Sequence, residues 1–281
     1  MSNVREIAQY WAETNCFDET TREEAKLLLE TATEEELRDR FGTTLEFGTG
    51  GLRGVMGVGL NRMNRYTVMQ ATEGLARYIE KRQETDASGV VIGFDSRNNS
   101  EVFAHAAAEV LAKHGIPVYL FRDIVPTPMV SYALLQKKAV AAIILTASHN
   151  PPEYNGYKVY WKHGGQIIPP DDEMIIDEVR SVDDIAEIPQ MDFEEALQQG
   201  RIEWIEDDID LEYLENLLPL SFGKPSQNEQ LGVIYTPLHG TGGRLVPRLL
   251  KERGFNNVHC VASQMVPDGN FSTVVSPNPE A

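Results

Sequence analysis

Residues 139–161 read AVAAIILTASHNPPEYNGYKVYW. Val140 to Leu145 form an unbroken apolar run, the pattern of a strand covered on both faces rather than one. The run halts at a hydroxyl, an imidazole, an amide and two prolines, Thr146 to Pro152. It resumes as YKVYW (157–161), which alternates and carries one lysine. After so short a connection this second strand is expected to run antiparallel to the first. A buried strand that drives straight into a tight polar loop holds that loop rigidly at the sheet's edge, and this is the question the rest of the chain answers.

Outward from this stretch, the same pattern repeats upstream. GVVIGFD (89–95) and IPVYLF (116–121) are further short apolar runs. Helical spacing separates them: Val68, Ala71, Leu75, Tyr78 and Ile79 share one side of a helix over 67–83. Ser100 is placed to cap a helix running to Lys113 with Gly115 just past its end, and Pro128 to open another. Residues 4–41 are rich in Glu, Leu, Ala and Arg at helical spacing, with Thr33 and Glu36 as a capping box. LEFGTGGLRGVMGVGLNRMN (45–64) is too glycine-rich for a helix and reads as a loop entering a first strand. Continuous strands alternating with helices predict an α/β fold: a three-layer α/β/α sandwich around a mixed, mainly parallel sheet. Residues 171 to about 210 are acidic and expected to contain helices. LGVIYTPLHGTGGRLVPRLLKERGFNNVHCVAS (231–263) then restarts the strand, loop, helix, strand order. The expected division is a first domain over 1–205 and the start of a second, similar domain over 206–281. With two strands and one helix the second has too little apolar surface to fold alone and reads as incomplete. A faint echo, Gly-Thr-Gly-Gly after Phe47 and after His239, is too short to establish a repeat.

Composition narrows the function. Hydrophobic residues make up 42% and charged residues 24% of 281 positions, ordinary for a globular protein with a sizeable core. No apolar run approaches the ~20 residues that span a bilayer. The first residues lack an apolar secretory core, and the cysteines, Cys16 and Cys260, lie far apart, so a reducing cytoplasm is expected. A formal net charge of −18 disfavours nucleic acid and anionic membrane surfaces as partners. It also repels a phosphorylated small molecule, so a phosphate site here must be locally basic or built from backbone N–H groups.

In such a sheet, ligands bind beyond the carboxyl ends of the strands. Four polar loops fall there: GTGGLRG with Arg53, FDSR with Asp95 and Arg97, TASHNPPEYNGYK with Ser148, His149 and Lys158, and TPLHGTGG. No P-loop or dinucleotide fingerprint is present, and the six histidines have no zinc spacing. Ser148 is the candidate nucleophile; a serine hydroxyl needs a neighbouring base or metal to become one. Each residue also has a plainer reading. Ser148 and Asn150 satisfy turns, Asp95 and Arg97 form an ion pair, and Lys158 snorkels from its strand. Their conjunction in one place is what favours chemistry.

That conjunction, TASHNP followed by NGYK, resembles the phosphoserine loop of the α-D-phosphohexomutase superfamily. GTGGLRGVMG, GFDSR, PTPMVSYAL, GGQIIPP and YTPLHGTGG follow in the same order, and the helical lead with LEFGTGGLRG and NRMN is most similar to the phosphoglucomutase branch that includes phosphopentomutases. The resemblance implies a phosphosugar mutase, an isomerase that moves a phosphoryl group between hydroxyls of glucose 1-phosphate and glucose 6-phosphate. It implies that Ser148 carries the phosphoryl group and His149 steadies the loop. Lys158 would be general acid/base or phosphate partner, and Arg53, Asn150 and Thr49 would contact phosphate. The implied cofactors are Mg²⁺, bound through the Ser148 phosphate, and glucose 1,6-bisphosphate as activating intermediate. The aspartate metal ligands belong beyond Ala281, so the chain by itself is expected to lack turnover. A phosphopentomutase or phosphomannomutase, or a non-catalytic phosphosugar-binding module, are the alternatives; a nucleotide-binding domain is disfavoured by the missing motifs.

Overall fold

The computed structural model describes residues 4–280 except 47, 49, 50, 85, 86, 221, 223–227 and 279. Three helices lead: α1 (Val4–Glu13), α2 (Glu19–Thr31) and α3 (Glu34–Phe41). Thr33 caps α3 through the Glu36 N–H, but the Glu36 carboxylate turns to Arg40 one turn on, so only half of the expected capping box forms. Trp11 stacks on Phe17 at 4.5 Å, with Phe41 and Tyr66 edge-on to Trp11. This aromatic cluster packs the lead against Val110 and Ala106 of a later helix.

The body contains β1 (Gly51–Val55), α4 (Arg65–Arg82), β2 (Val90–Phe94), α5 (Ser100–Lys113), β3 (Val118–Phe121), α6 (Thr127–Gln136), β4 (Ala141–Leu145), β5 (Tyr154–Trp161), α7 (Asp171–Arg180), α8 (Phe193–Gln198) and β6 (Ile202–Ile205). The six strands form one sheet in the order β1-β5-β4-β2-β3-β6. Neighbours β4, β2, β3 and β6 pair parallel, and β5 runs antiparallel to both β4 and β1. The fold class is therefore α/β with a mixed, mostly parallel sheet. Side chains sort strictly by parity. Val90 and Ile92, with Ala141, Ile143 and Leu145, enter the core beneath α4 and α5. Val91, with Ala142 and Ile144, enters the opposite core beneath α6. Period-two alternation with both faces apolar is what made these strands read as continuous hydrophobic runs.

Two local expectations need correction. Ser100 is the first residue of α5, not its cap; Asn99, at φ +63°, takes the cap position, and the Ser100 hydroxyl donates instead to Asp95 at 2.9 Å. The acidic stretch holds the expected helices and, in addition, the unforeseen strand β6, where Ile202 and Ile205 are buried and pair with Val118 and Phe121. Four residues are too few for periodicity to reveal.

Beyond β6 lie α9 (Asp207–Leu217), β7 (Gly232–Tyr235), α10 (Leu245–Glu252), β8 (Asn257–Cys260) and α11 (Ala262–Met265). β7 and β8 pair parallel as a separate two-stranded sheet, and Ile234 stands 81% exposed on it. Ile209 and Leu214 of α9 and Leu245 of α10 join the core beneath α6, which ties this part to the body. Among the described residues no helix is long and apolar enough to cross a membrane.

Candidate active site

The turn after β4 is fixed atom by atom. The Thr146 hydroxyl donates to Asp95, which follows the adjacent β2, and accepts from the Ser148 N–H at 2.9 Å. The Asn150 N–H closes on the Ala147 carbonyl at 3.1 Å. Ser148 itself sits at φ +57°, the left-handed region that a residue with a side chain occupies at a cost of about 1–3 kcal/mol and keeps only when its surroundings over-determine it. Gly156 makes the return possible: a Cβ there would lie 2.6 Å from the Thr146 carbonyl oxygen and 2.9 Å from that of Leu52.

What over-determines the turn is Arg97. Its side chain is fully buried, and its planar fork donates to four loop carbonyls. Nη1 reaches Pro151 at 2.8 Å and Tyr154 at 3.0 Å; Nη2 reaches Ser148 at 3.0 Å and Asn150 at 2.5 Å. A rigid guanidinium is the one side chain that can hold so many acceptors in a plane. Asp95 lies 3.5 Å from Arg97 Nε and also accepts from the Arg97 N–H. Burial pushes the Asp95 carboxyl up, against the hydrogen bond from Thr146 and the Arg97 charge that favour its ionised form. Buried Asn155 completes the frame, donating to the Asn98 carbonyl and the Ser100 hydroxyl. So Asp95 and Arg97 are an ion pair, as read from sequence; both Arg97 Nη atoms bind the Ser148 loop, while the buried Nε faces Asp95 at 3.5 Å without a hydrogen bond.

The reactive face lies on the other side of the serine. Lys158 Nζ donates to Ser148 Oγ at 3.0 Å. Burial first, and then the Arg53 charge, hold the Lys158 ammonium below its ordinary range, with Asp95 opposing. Arg53 comes from β1, opposite Gly156 of β5, and its exposed guanidinium reaches Asn150 Oδ1 at 3.5 Å. Ser148, Lys158 and Arg53 line a cleft of about 810 Å³ together with Thr43–Glu46, Arg62 and Gln166. The structure thus brings together Ser148, Lys158, Arg53 and Asn150. His149 is exposed and makes no hydrogen bond among the described residues, while Thr49 lies outside them. Arg62 was missed in the sequence; its only signal is its place in NRMN, closing the glycine-rich stretch. With it, Arg53, Lys158 and an Arg62 already ion-paired to Asp39 line the cleft beside Glu46, a locally basic wall in a protein of net charge −18.

A smaller cavity of about 230 Å³ adjoins Ser148 from the opposite side, between Asp95 and Thr146 of the body and Gly240, Thr241 and Phe271 of the second part. Among the described residues no group of three or more His, Cys, Asp or Glu side chains is arranged to hold a metal ion. Asp95, the carboxylate that reaches the turn, is already engaged by Thr146, Ser100 and Arg97. The described residues do not by themselves form a divalent-cation site, and no step below runs through one.

Comparison with known proteins gives the chain's relatives. Residues 44–186 match the model of phosphoglucomutase/phosphomannomutase alpha/beta/alpha domain I, and residues 211–281 match that of domain II. The chain is 40% identical over 270 residues to the phosphopentomutase of Mus musculus, covering 92% of this chain and 43% of that protein. It is 36% identical over 281 residues to the glucose 1,6-bisphosphate synthase of Homo sapiens, covering 92% and 43%. To a phosphoglucomutase of Staphylococcus saprophyticus it is 36% identical over 251 residues, covering 89% and 45%. The chain therefore spans less than half the length of these relatives. Among solved structures, a Thermus thermophilus protein described as a candidate phosphomannomutase superposes with a TM-score of 0.69 at 28% identity, over 84% of this chain and 49% of that one.

Proposed function

The chain belongs to the phosphoglucomutase/phosphomannomutase family, and from that premise we propose that it carries the phosphoryl-relay half of a phosphosugar mutase, with Ser148 as the relay. The observation that carries this reading is the 3.0 Å contact between Ser148 Oγ and a Lys158 amine whose proton affinity is lowered by burial and by Arg53.

In its neutral form Lys158 accepts the Ser148 proton as Oγ attacks the phosphorus of a sugar bisphosphate. One P–O bond forms to serine while the bond to the departing sugar oxygen breaks, and that oxygen takes its proton from solvent, to which the sugar hydroxyl returns it in the reverse direction. In the reverse direction phosphoserine yields the group to a free sugar hydroxyl, and the ammonium returns its proton to Oγ. Proton transfer over this distance needs no intervening water. The transferred group is nearly free in the transition state, so catalysis consists mainly of positioning and of neutralising its equatorial oxygens. Arg53 supplies that charge, with Arg62, ion-paired to Asp39, farther along the cleft, and Asn150 supplies a polar side chain held beside Arg53. The left-handed turn lifts Oγ above the sheet edge while Arg97 keeps it there. The reading includes Mg²⁺ and glucose 1,6-bisphosphate as cofactors, a sugar phosphate as the partner, and glucose 1-phosphate to glucose 6-phosphate as the reaction. A pentose phosphate is the second reading, favoured by the likeness to the Mus musculus phosphopentomutase.

The test is intact-mass measurement of the 281-residue chain after incubation with glucose 1,6-bisphosphate and Mg²⁺. One added phosphoryl group, absent in Ser148→Ala, is expected. Uptake that persists in Ser148→Ala, or none in the unaltered chain, overturns the reading. Competition by ribose 1,5-bisphosphate in the same assay separates the pentose from the hexose reading.

A further inference from the structure

The segment Asp268–Phe271 does not belong to the cleft that faces Lys158, yet it is built onto the far side of the same serine turn. Its sequence is DGNF. The Asp268 carboxylate accepts from the N–H groups of Asn270 and Ser272, both at 2.9 Å, and the Phe271 N–H closes on the Asp268 carbonyl at 3.1 Å. Hydrogen bonds from Ser272 hold the Asp268 carboxyl down at about 2. The turn presents two features to the body. Gly269 lies so close to Asn98 that a Cβ would stand 2.4 Å from its Oδ1 and 2.6 Å from its N. Asn98 Nδ2 donates to Asn270 Oδ1 at 2.8 Å. Phe271, at φ +51° and 6% exposed, then lays its ring under the Arg97 guanidinium, 5.3 Å from centroid to Cζ.

The opposite end of this segment is fixed by a histidine. His239, 3% exposed, has Nδ1 2.8 Å from the Val266 carbonyl and Nε2 2.7 Å from the Thr273 hydroxyl. A carbonyl can only accept, so Nδ1 carries the proton toward Val266, and in the neutral ring Nε2 accepts from Thr273. The imidazole therefore pins both flanks of the segment that holds Phe271. An unbroken physical path results: His239 holds 266 and 273, Phe271 between them covers one face of Arg97, and Arg97 holds the carbonyls of Ser148, Asn150, Pro151 and Tyr154.

From this we infer that Asp268–Phe271 is a latch that positions Ser148, with Phe271 and Arg97 as positioning residues acting on the serine backbone rather than on substrate. The guanidinium has in-plane donors for the loop and a π-face left over; an aromatic ring on that face excludes water from it and fixes its plane by a cation–π contact. When the latch is docked, Arg97 has one orientation and Ser148 one backbone conformation. When it lifts, the guanidinium gains access to water and the left-handed turn loses what over-determines it. The second part of the chain thereby sets the reactivity of a nucleophile carried by the first.

This inference rests on the reading of Ser148 as phosphoryl relay for its consequence, but not for its structural content, and the test separates the two. The full chain is compared with Phe271→Leu, Phe271→Tyr and Gly269→Ala in two measurements. One is the rate of phosphoryl uptake from glucose 1,6-bisphosphate; the other is native-state hydrogen exchange of the peptide spanning 148–154. Phe271→Leu keeps an apolar side chain and loses the ring face; it is expected to speed exchange in 148–154 and slow uptake by about tenfold each. Phe271→Tyr should restore both, and Gly269→Ala, which pushes the segment off Asn98 without touching Phe271, should behave like the leucine variant. Exchange at 148–154 unchanged in both the leucine and alanine variants overturns the latch, as does a fall in global stability with no local acceleration. If the unaltered chain takes up no phosphoryl group, the relay reading fails and exchange alone decides the latch.

Discussion

The turns after β4 and β7 are the same object put to two uses. In each, a threonine hydroxyl accepts from the N–H two residues on: Thr146 from Ser148 at 2.9 Å, Thr236 from Leu238 at 3.0 Å. In each, the N–H four residues after the threonine closes on the carbonyl one residue after it, Asn150 on Ala147 and Gly240 on Pro237. The third residue is left-handed in both, φ +57° at Ser148 and +48° at Leu238, and a histidine follows. The two diverge in what holds them. The first is gripped from outside by Arg97, and its serine and histidine are exposed. The second is gripped by its own His239, buried with both ring nitrogens engaged. A turn can present a reactive side chain only if something else carries the structural load.

The comparison can be broken at several points. Arg97→Met is expected to have the largest effect: it removes four donors from buried carbonyls and the partner from Asp95, and should lower stability by about 3–5 kcal/mol in urea unfolding. His239→Ala should cost about 1–3 kcal/mol by the same measurement, whereas His149→Ala, at the matching position of the other turn, should change stability by no more than about 0.5 kcal/mol. Equal effects at the two histidines would mean the turns are held alike. Third, Ser148→Gly should be more stable than Ser148→Ala by about 1 kcal/mol, since both lack the hydroxyl but only glycine is unstrained at positive φ.

The smallest effect concerns charge. Burial and Arg53 depress Lys158, so Arg53→Gln should move its titration back up toward the ordinary lysine range, as followed by NMR of the Nζ-attached carbon. The sign for stability follows. Between its folded and unfolded values the folded chain has already released the proton while the unfolded chain retains it, so stability rises with pH across that alkaline window. Arg53→Gln should narrow the window. No counterpart exists in the turn after β7, where Leu238 stands in the serine's place.

Much of the fold could be read from the chain because it rests on features local in sequence. The parity of Val90–Phe94 and Ala141–Leu145, the glycine past α5 and the short return into β5 all leave their mark within a few residues. The strand β6 left none, being four residues inside an acidic stretch and recruited only by pairing with β3. The site divides the same way. Ser148 and Lys158 announce themselves because ten residues separate them on one hairpin. Arg62 did not, since what brings it to the cleft is the approach of Thr43–Glu46 and Asn61–Arg62 to the Ser148 turn and Lys158. The likeness between the two turns leaves little trace in the letters: Thr236–Gly240 is the structural counterpart of Thr146–Asn150, yet the two share only threonine and histidine, while the Gly-Thr-Gly-Gly shared by 48–51 and 240–243 is too short to establish a repeat.

One consequence follows from the strand order. β1 touches the sheet through β5 alone, at its margin, whereas β4 and β5 lie one place or more inside it. Peeling of a marginal strand is the least expensive opening such a sheet has. Transient fraying of β1 would carry Arg53 away and leave the serine–lysine hairpin intact, so the proposed nucleophile with its proton acceptor and the proposed phosphate-binding cation would come and go on separate clocks.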